Sequence, residues 1–311
     1  MHRPTFFFLS LATVNCLFGC GPEVIDGPLA RESSLEAIAA SPLTALGTTT
    51  PSGGVRVRFV AANLTSGNRQ SYEAPGIRIL KGINPDVVLI QEFNNKSGSI
   101  QDLVDEVAGP EFYYYREPRS GGIPNGVISR YPIVEAGAWD DPEGTDREFV
   151  YARLDVPGPA DVWAISVHFR TKNATVRARE ARSLADRLRR AVPTGDHIVI
   201  GGDFNTQSPF EQAIIELDDV VDVRAPAPVD SRGNGNTNAS RSKPYDRLFA
   251  SEGLETESVP VTFGGATFAT GLVFDSRQYR DPASVAPIQR GDSGASNMQH
   301  MAVVRDFMLP R

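Results

Sequence analysis

Several short apolar runs in this chain end on a residue that is expensive to bury. FVAA (59–62) is followed by Asn63, VVLIQ (87–91) by Glu92, VWAISV (162–167) by His168, and IVIGG (198–202) by Asp203, with Asn205 two positions on. Tyr245-Asp246-Arg247 stands at the start of a later apolar run, and His300 opens the last one. Each has an ordinary reading alone. Asn63 is a turn residue, Glu92 a salt-bridged acid, and His168 a core histidine with its hydrogen bonds met. Asp203 and Asn205 make an Asx-turn, and Asp246 and Arg247 a surface ion pair. The combination is what constrains the chain, because ligand sites in sheet-based α/β proteins collect at strand ends.

The rest of the pattern supports such a sheet. Residues 55–62 alternate and then turn apolar, and 86–90 is a β-branched run after Asn84-Pro85. Further strands are expected at 126–130, 133–138, 149–156, 162–169, 197–201, 245–250, 254–261 and 300–307. Helices are expected at 100–107, 175–192 and 210–217. Interspersed strands and helices with strands in excess predict an α/β class with two-sheet packing. Residues 264–297, rich in Gly, Ser and Asp, read as a long surface loop. Aromatics 112–115 (FYYY) read as a core strand, or as a flank to a lipid-headgroup site.

The N-terminus reads as an address. His2-Arg3 precedes an apolar stretch at 6–17, interrupted by Asn15 and shorter than the ~20 residues that span a bilayer. Leu17-Phe18-Gly19-Cys20 resembles a bacterial lipoprotein signal, although Phe18 is bulky for its place. The expectation is a signal peptide at 1–19, a lipid on Cys20, a flexible tether at 20–54 and a domain at 55–311. Such a protein is exported, held at the cell envelope or secreted, and touches a membrane only through its anchor. Plain secretion is the alternative.

The only cysteines, Cys16 and Cys20, precede the body, which excludes a disulfide framework, a Cys-ligated zinc and a thiol nucleophile there. A net charge of −7 argues against holding nucleic acid by bulk positive charge, though not against local phosphate contacts. The arginines at 177, 179, 182, 187, 189 and 190 read as a solvated helix face, with a polyanion surface as the other reading. Glu92, Asp203 and Asp246 in one pocket would repel, since two like charges ~4 Å apart cost about 4 kcal/mol at an effective dielectric near 20. Such a cluster calls for a cation, imidazolium partners, or both. Carboxylate and amide oxygens without Cys favour Mg²⁺, Mn²⁺ or Ca²⁺. That chemistry suits hydrolysis of a phosphate ester.

VRFVAANL, INPDVVLIQEF, NGVISRYPI, WAISVHF, IVIGGDFNT, PYDRLFAS and QHMAVVRDF, in this order, resemble the motifs of the endonuclease/exonuclease/phosphatase superfamily, with its deoxyribonuclease I-like fold. The resemblance implies a four-layer α-β-β-α sandwich of two mixed β-sheets with outer helices. It implies a metal-dependent hydrolase, usually with Mg²⁺, that cleaves phosphodiesters or phosphomonoesters with activated water. Nucleic acid is the first expected substrate, a phospholipid or inositol phosphate the second, and a monomer is expected. It further implies that His168, Asp203, Asn205, Asp246 and His300 are catalytic. Asn63, Glu92 and Gln299 fall at metal positions, and Asn125 at a substrate position; Arg170 and Lys172 are phosphate candidates by position only. Gln299 replaces the Asp of the family's usual Ser-Asp-His, which keeps an acceptor oxygen and removes a charge. A weakened enzyme or a binding protein that has lost turnover is the reading this substitution opens.

Overall fold

Alternate side chains of β1 (Val55–Ala62) enter different cores. Val57, Phe59 and Ala61 join one apolar cluster, and Val60 and Ala62 another. Only a strand covered on both faces does this, so the period-two geometry already requires a layer on each side. The computed structural model describes residues 53–68, 70–118, 122–144 and 146–311. The expected signal segment, Cys20 and nearly all of the expected tether lie outside them.

After β1 come α1 (Ala74–Ile83), β2 (Val87–Ile90), α2 (Ile100–Val107), β3 (Tyr113–Arg116), β4 (Gly126–Ser129), β5 (Ile133–Trp139), β6 (Phe149–Leu154) and β7 (Val162–His168). Then follow α3 (Ala174–Ala191), β8 (His197–Asp203), α4 (Gln212–Ile215), β9 (Asp246–Ala250) and α5 (Glu252–Glu255). The chain closes with β10 (Ser258–Val259), β11 (Val261–Phe263), β12 (Ala266–Phe268), β13 (Leu272–Phe274) and β14 (Ala302–Leu309). One sheet has seven strands in the order β10-β14-β1-β2-β4-β3, with β13 also paired to β14. The other has five, β5-β6-β7-β8-β9. β1–β2 and β7–β8 are parallel and their neighbours antiparallel, so both sheets are mixed.

The apolar clusters show the layers. Phe59, Leu89, Val127, Ala164, Val199 and Leu248 fill the space between the sheets. Ile79, Leu80, Leu103 and Val104 of α1 and α2 cover the outer face of the larger sheet. Leu184 and Leu188 of α3 cover the smaller sheet against Trp163, Ile165 and Ile200. This is the expected four-layer α-β-β-α sandwich. α2 begins with a capping box in which the Ser99 hydroxyl takes the Asp102 N–H and the Asp102 carboxylate takes the Ser99 N–H.

Some elements differ from the sequence reading. α1 is a helix that the apolar pattern does not announce, because Gly76 and Gly82 interrupt it. Gly76 is required by packing, since a Cβ there would lie 2.1 Å from the Leu64 carbonyl oxygen. The strand expected at 254–261 is instead α5 followed by two short strands separated at Pro260, which has no N–H for a ladder. The loop expected at 264–297 holds β12 and β13 and buries Phe268, Leu272, Phe274, Val285 and Ile288 in the core beside α1. Its Gly and Ser content marks tight turns between packed pieces, not an exposed excursion.

The glycine pair before Asp203 sets the spacing of the sheets. A Cβ on Gly201 would meet the Leu89 side chain at 2.5 Å and Ala61 at 3.3 Å, across the inter-sheet core. Gly202 has φ +143°, and a Cβ there would lie 2.1 Å from the Val167 carbonyl oxygen. Gly202→Ala is therefore expected to destabilise the fold by about 2 kcal/mol or more, through backbone strain and overpacking together. A thermal melt that leaves the midpoint unchanged would contradict this.

Candidate active site

Register places His168, Asp203 and Asp246 in one row across β7, β8 and β9, because His168 pairs with Asp203 and Asp203 with Asp246. The larger sheet delivers the rest to the same end. Asn63 follows the last residue of β1, Glu92 lies two residues beyond β2, and His300 lies two residues before β14. Since Ala62 pairs with Ile90 in parallel and Ala61 with Val303 antiparallel, these three segments open at one edge. Beneath them the sheets are joined by polar bonds. Gln91 Nε2 donates to Ser166 Oγ at 2.9 Å, and Ser166 Oγ donates to the Ile90 carbonyl at 2.9 Å.

Asp203 is the hub. Its Oδ2 lies 3.2 Å from His168 Nε2 and 3.5 Å from His300 Nε2, and accepts from Asn63 Nδ2 at 3.3 Å. Its Oδ1 accepts the Asn205 N–H at 2.9 Å. Burial alone would push this carboxyl up, but His300 and His168 outweigh burial and hold it down at about 2. His300 Nδ1 lies 2.9 Å from Asp246 Oδ2. Burial works against a charged His300, yet Asp246 and Asp203 raise it to about 10, so the ring is an imidazolium at neutral pH. Burial lifts Asp246 to about 6 against the pull of His300. Asp203, Asp246 and His300 form the one buried acid–histidine group compact enough to suggest a metal among the described residues. The His300 imidazolium lies against both of its carboxylates and offsets one of their two charges.

Glu92 is different. Among the described residues its oxygens receive neutral donors, the Thr65 hydroxyl at 2.5 Å and Asn63 Nδ2 at 3.3 Å. Asn63 Oδ1 is buried with no hydrogen-bond partner among the described residues. Glu92 also sits at φ +52° and Asn205 at φ +51°, a left-handed conformation that costs a non-glycine residue about 1–2 kcal/mol. A carboxylate and an orphaned amide oxygen side by side fit a hard divalent cation, and nothing in the set favours zinc.

The remaining expected residues divide. Asn125 is buried beside the site's flank, donating Nδ2 to the Glu148 carbonyl at 2.7 Å while its N–H goes to Glu117 at 3.2 Å. Arg170, expected at phosphate, is instead held by Asp146 at 2.7 Å. Lys172 is exposed and outside the cluster. Gln299 is exposed as well; its carbonyl accepts the Ala239 N–H at 2.7 Å, and its side chain is not brought to Glu92 or Asn63. Neighbouring residues of extended chain point opposite ways, so burying His300 turns Gln299 outward. The α3 arginines are largely spent on ion pairs, Arg177 with Glu211, Arg179 with Glu143, Arg182 with Glu216, and Arg189 with Asp186 and Asp219. Arg177 is buried and so not on a solvated face, whereas the exposed Arg179, Arg182, Arg189 and Arg190 fit that reading.

Thr65, Tyr72 and Thr237 carry parts of the site that strand-end reasoning misses. Tyr72 donates its hydroxyl to the Ala62 carbonyl at 2.7 Å and accepts the Leu64 N–H at 3.2 Å, fixing the turn that carries Asn63. Thr237 takes the Asp246 N–H at 2.7 Å. Ordinary hydroxyl residues in loops give no periodic signal. Thr65, two residues past Asn63, is the one that proximity could have flagged.

The sequence profile described as the Endonuclease/Exonuclease/phosphatase family matches residues 77–267, and the chain belongs to that family. No curated protein matches it in sequence. Among solved structures, an endonuclease/exonuclease/phosphatase from Bacteroides vulgatus aligns with TM-score 0.56 at 16% identity, covering 82% of this chain and 99% of that one. One from Beutenbergia cavernae DSM 12333 aligns with TM-score 0.53 at 18% identity, over 82% of this chain and 72% of that one. TDP2 from C. elegans gives TM-score 0.56 at 14% identity, over 83% and 77%. These likenesses show the fold. The family's members are hydrolases of phosphate esters that typically use a divalent metal.

A second acid site supports the first from behind. Both oxygens of the fully buried Glu180 accept the Arg170 N–H at 3.0 Å, two residues past His168. Burial and the facing Asp141 push Glu180 up to about 9. Its folded pKa lies above its unfolded value, so its contribution is full below about pH 4.5 and is lost as pH rises towards about 9. Across that window stability should fall as pH rises, because the unfolded state gives up this proton first. Glu180→Gln should flatten the decline in denaturant melts between pH 5 and about pH 9; an unchanged slope would refute the assignment.

Proposed function

We propose that the protein is a divalent-metal-dependent phosphodiesterase that activates water, with nucleic acid as its first substrate class. The observation that supports this best is the Asp203 hub, a buried carboxylate that accepts from Asn63 and lies 3.2 and 3.5 Å from the Nε2 atoms of His168 and His300, beside Glu92, whose carboxylate has no ion-pair partner among the described residues. Glu92 and Asn63 would hold the metal. When bound, it neutralises charge on the phosphoryl group and polarises its oxygens. Mg²⁺ suits the oxygen donors, and Mn²⁺ and Ca²⁺ share the preference.

The chain's own groups do the remainder. Asp203 aligns the attacking water and receives its proton as the bond to phosphorus forms; its low pKa makes that transfer late. The His300 imidazolium, fixed by Asp246, meets negative charge that develops in the transition state and is poised to protonate the leaving oxygen. His168 holds Asp203 in place through Nε2, and its Nδ1 has no hydrogen-bond partner among the described residues. Asn205 ties the turn after β8 to the Phe169 carbonyl at 2.9 Å, which fixes the direction of Asp203.

The test is hydrolysis of bis-p-nitrophenyl phosphate, p-nitrophenyl phosphate and supercoiled plasmid with Mg²⁺, Mn²⁺ or EDTA. His168→Ala and Glu92→Gln should each lower metal-dependent turnover by about a hundredfold or more. Preference for the monoester would replace the diesterase reading, and no turnover on any substrate would reject it. Because the Gln299 side chain points outward, Gln299→Asp should change turnover less than about threefold, under about 0.7 kcal/mol in the barrier. A large gain would instead show that the lost Asp mattered.

Export with a lipid on Cys20 is part of the proposal, supported by the 17–20 motif. Expressed with its leader in a bacterial host, the protein should partition with membranes, and Cys20→Ala should move it to the soluble fraction. Soluble wild type would leave plain secretion.

A further inference from the structure

Behind the catalytic row, the edge strand β9 forms one wall of a groove of about 430 Å³ that the proposed reaction does not use. Leu248, Phe249, Val273 and Val303 line its depth, and Phe210 and Ile215 stand at its rim. Those two rim residues are 85% and 54% exposed, large apolar surfaces left open beside an apolar cavity. The volume lies in the range of ligand pockets.

The lining also carries charge, at Asp218, Arg224, Asp246, Arg247 and Arg305. Arg247 lines the groove, partly buried, and no carboxylate forms an ion pair with it among the described residues. Its guanidinium has only two weak bonds, Nε to Thr206 Oγ1 at 3.4 Å and Nη2 to the Ser208 carbonyl at 3.5 Å. The Phe249 ring lies beneath it at 6.0 Å. Of the two acids that act on it, Glu211 is committed to Arg177 and to the Gln207 N–H, and Asp246 to His300. Desolvation pulls Arg247 down to about 10. The other basic residues of the lining, Arg224 and Arg305, are paired with Asp218 and Glu255. A desolvated guanidinium without a counter-ion is costly, and an anion that brings its own apolar body would relieve that cost.

The geometry points to a binding site for a single-chain anionic amphiphile, with the anionic head on Arg247 and the chain along Leu248, Phe249 and Val273. Charge complementarity and the open apolar rim select this ligand class. A carboxylate or a phosphate head would serve the same guanidinium. Asp246 also lines the groove, but Arg247 turns to the opposite face of β9, so the head-group site uses neither Asp203, His300 nor the residues that would hold the metal.

The experiment is fluorescence titration of the full chain with dansyl-undecanoate. Saturable binding, displaced by laurate or dodecyl phosphate but not by dodecanol, is expected, and the better competitor identifies the head group. Arg247→Gln should weaken binding about tenfold. Ile215→Glu, an exposed change that places a negative charge at the mouth, should weaken it at least threefold without affecting folding. Absent binding, or displacement by dodecanol as readily as by laurate, would overturn the proposal. A concentration-dependent dimer in sedimentation, lost in Ile215→Glu with no probe bound, would assign the face to a second copy and equally overturn it.

Discussion

The site rests on placing a positive charge between two buried aspartates. Asp203 and Asp246 are register partners on adjacent antiparallel strands, where like charges would destabilise the sheet. His300, lying between them from the other sheet, makes that row tenable. Removing the imidazolium would leave two anions in a nearly water-free cavity, a worse state than having none. The same contact draws the two sheets together at one end, so the electrostatics of the cluster and the closure of the sandwich are one requirement.

Topology follows from it. Parallel β1–β2 and β7–β8 bring strand ends to the same edge, and antiparallel β9 and β14 return the chain there. Gly201 lets the sheets approach, and Gly202 lets β8 pass the Val167 carbonyl on its way to Asp203. Left-handed Glu92 and Asn205 are strained positions next to the groups that act. Packed neighbours hold them there, as Tyr72 holds the Asn63 turn and Thr65 the Glu92 carboxylate.

How much of this is legible in the sequence depends on which physics each residue uses. A polar residue ending an apolar strand stands out against its neighbours, so Asn63, Glu92, His168, Asp203 and Asp246 can be found, and the structure brings them together with His300. The strands β1 and β5 to β9 follow from alternation and β-branching. Long-range contacts carry no such mark. Nothing local says that Asp146 takes Arg170, that Thr237 braces Asp246, or that Gln299 faces away once His300 is buried. Helix α1 is hidden by glycines that its packing needs, and the 264–297 segment by turn residues between short buried pieces.

Charge allocation explains why an acidic protein can still address phosphate. With net charge −7, a broad basic face is absent from the composition, and α3 spends most of its arginines on the acids beside them. Positive charge is kept instead at chosen points, such as the imidazolium of His300 and the guanidinium of Arg247, which has no ion pair among the described residues. A few desolvated charges act at short range and are weakly screened, whereas a surface field fades within a Debye length. Asp246 and Arg247 are adjacent on β9 and point to opposite faces of the sheet. One edge strand therefore supplies the acid that charges His300 and, on its reverse, the cation that an amphiphile would meet.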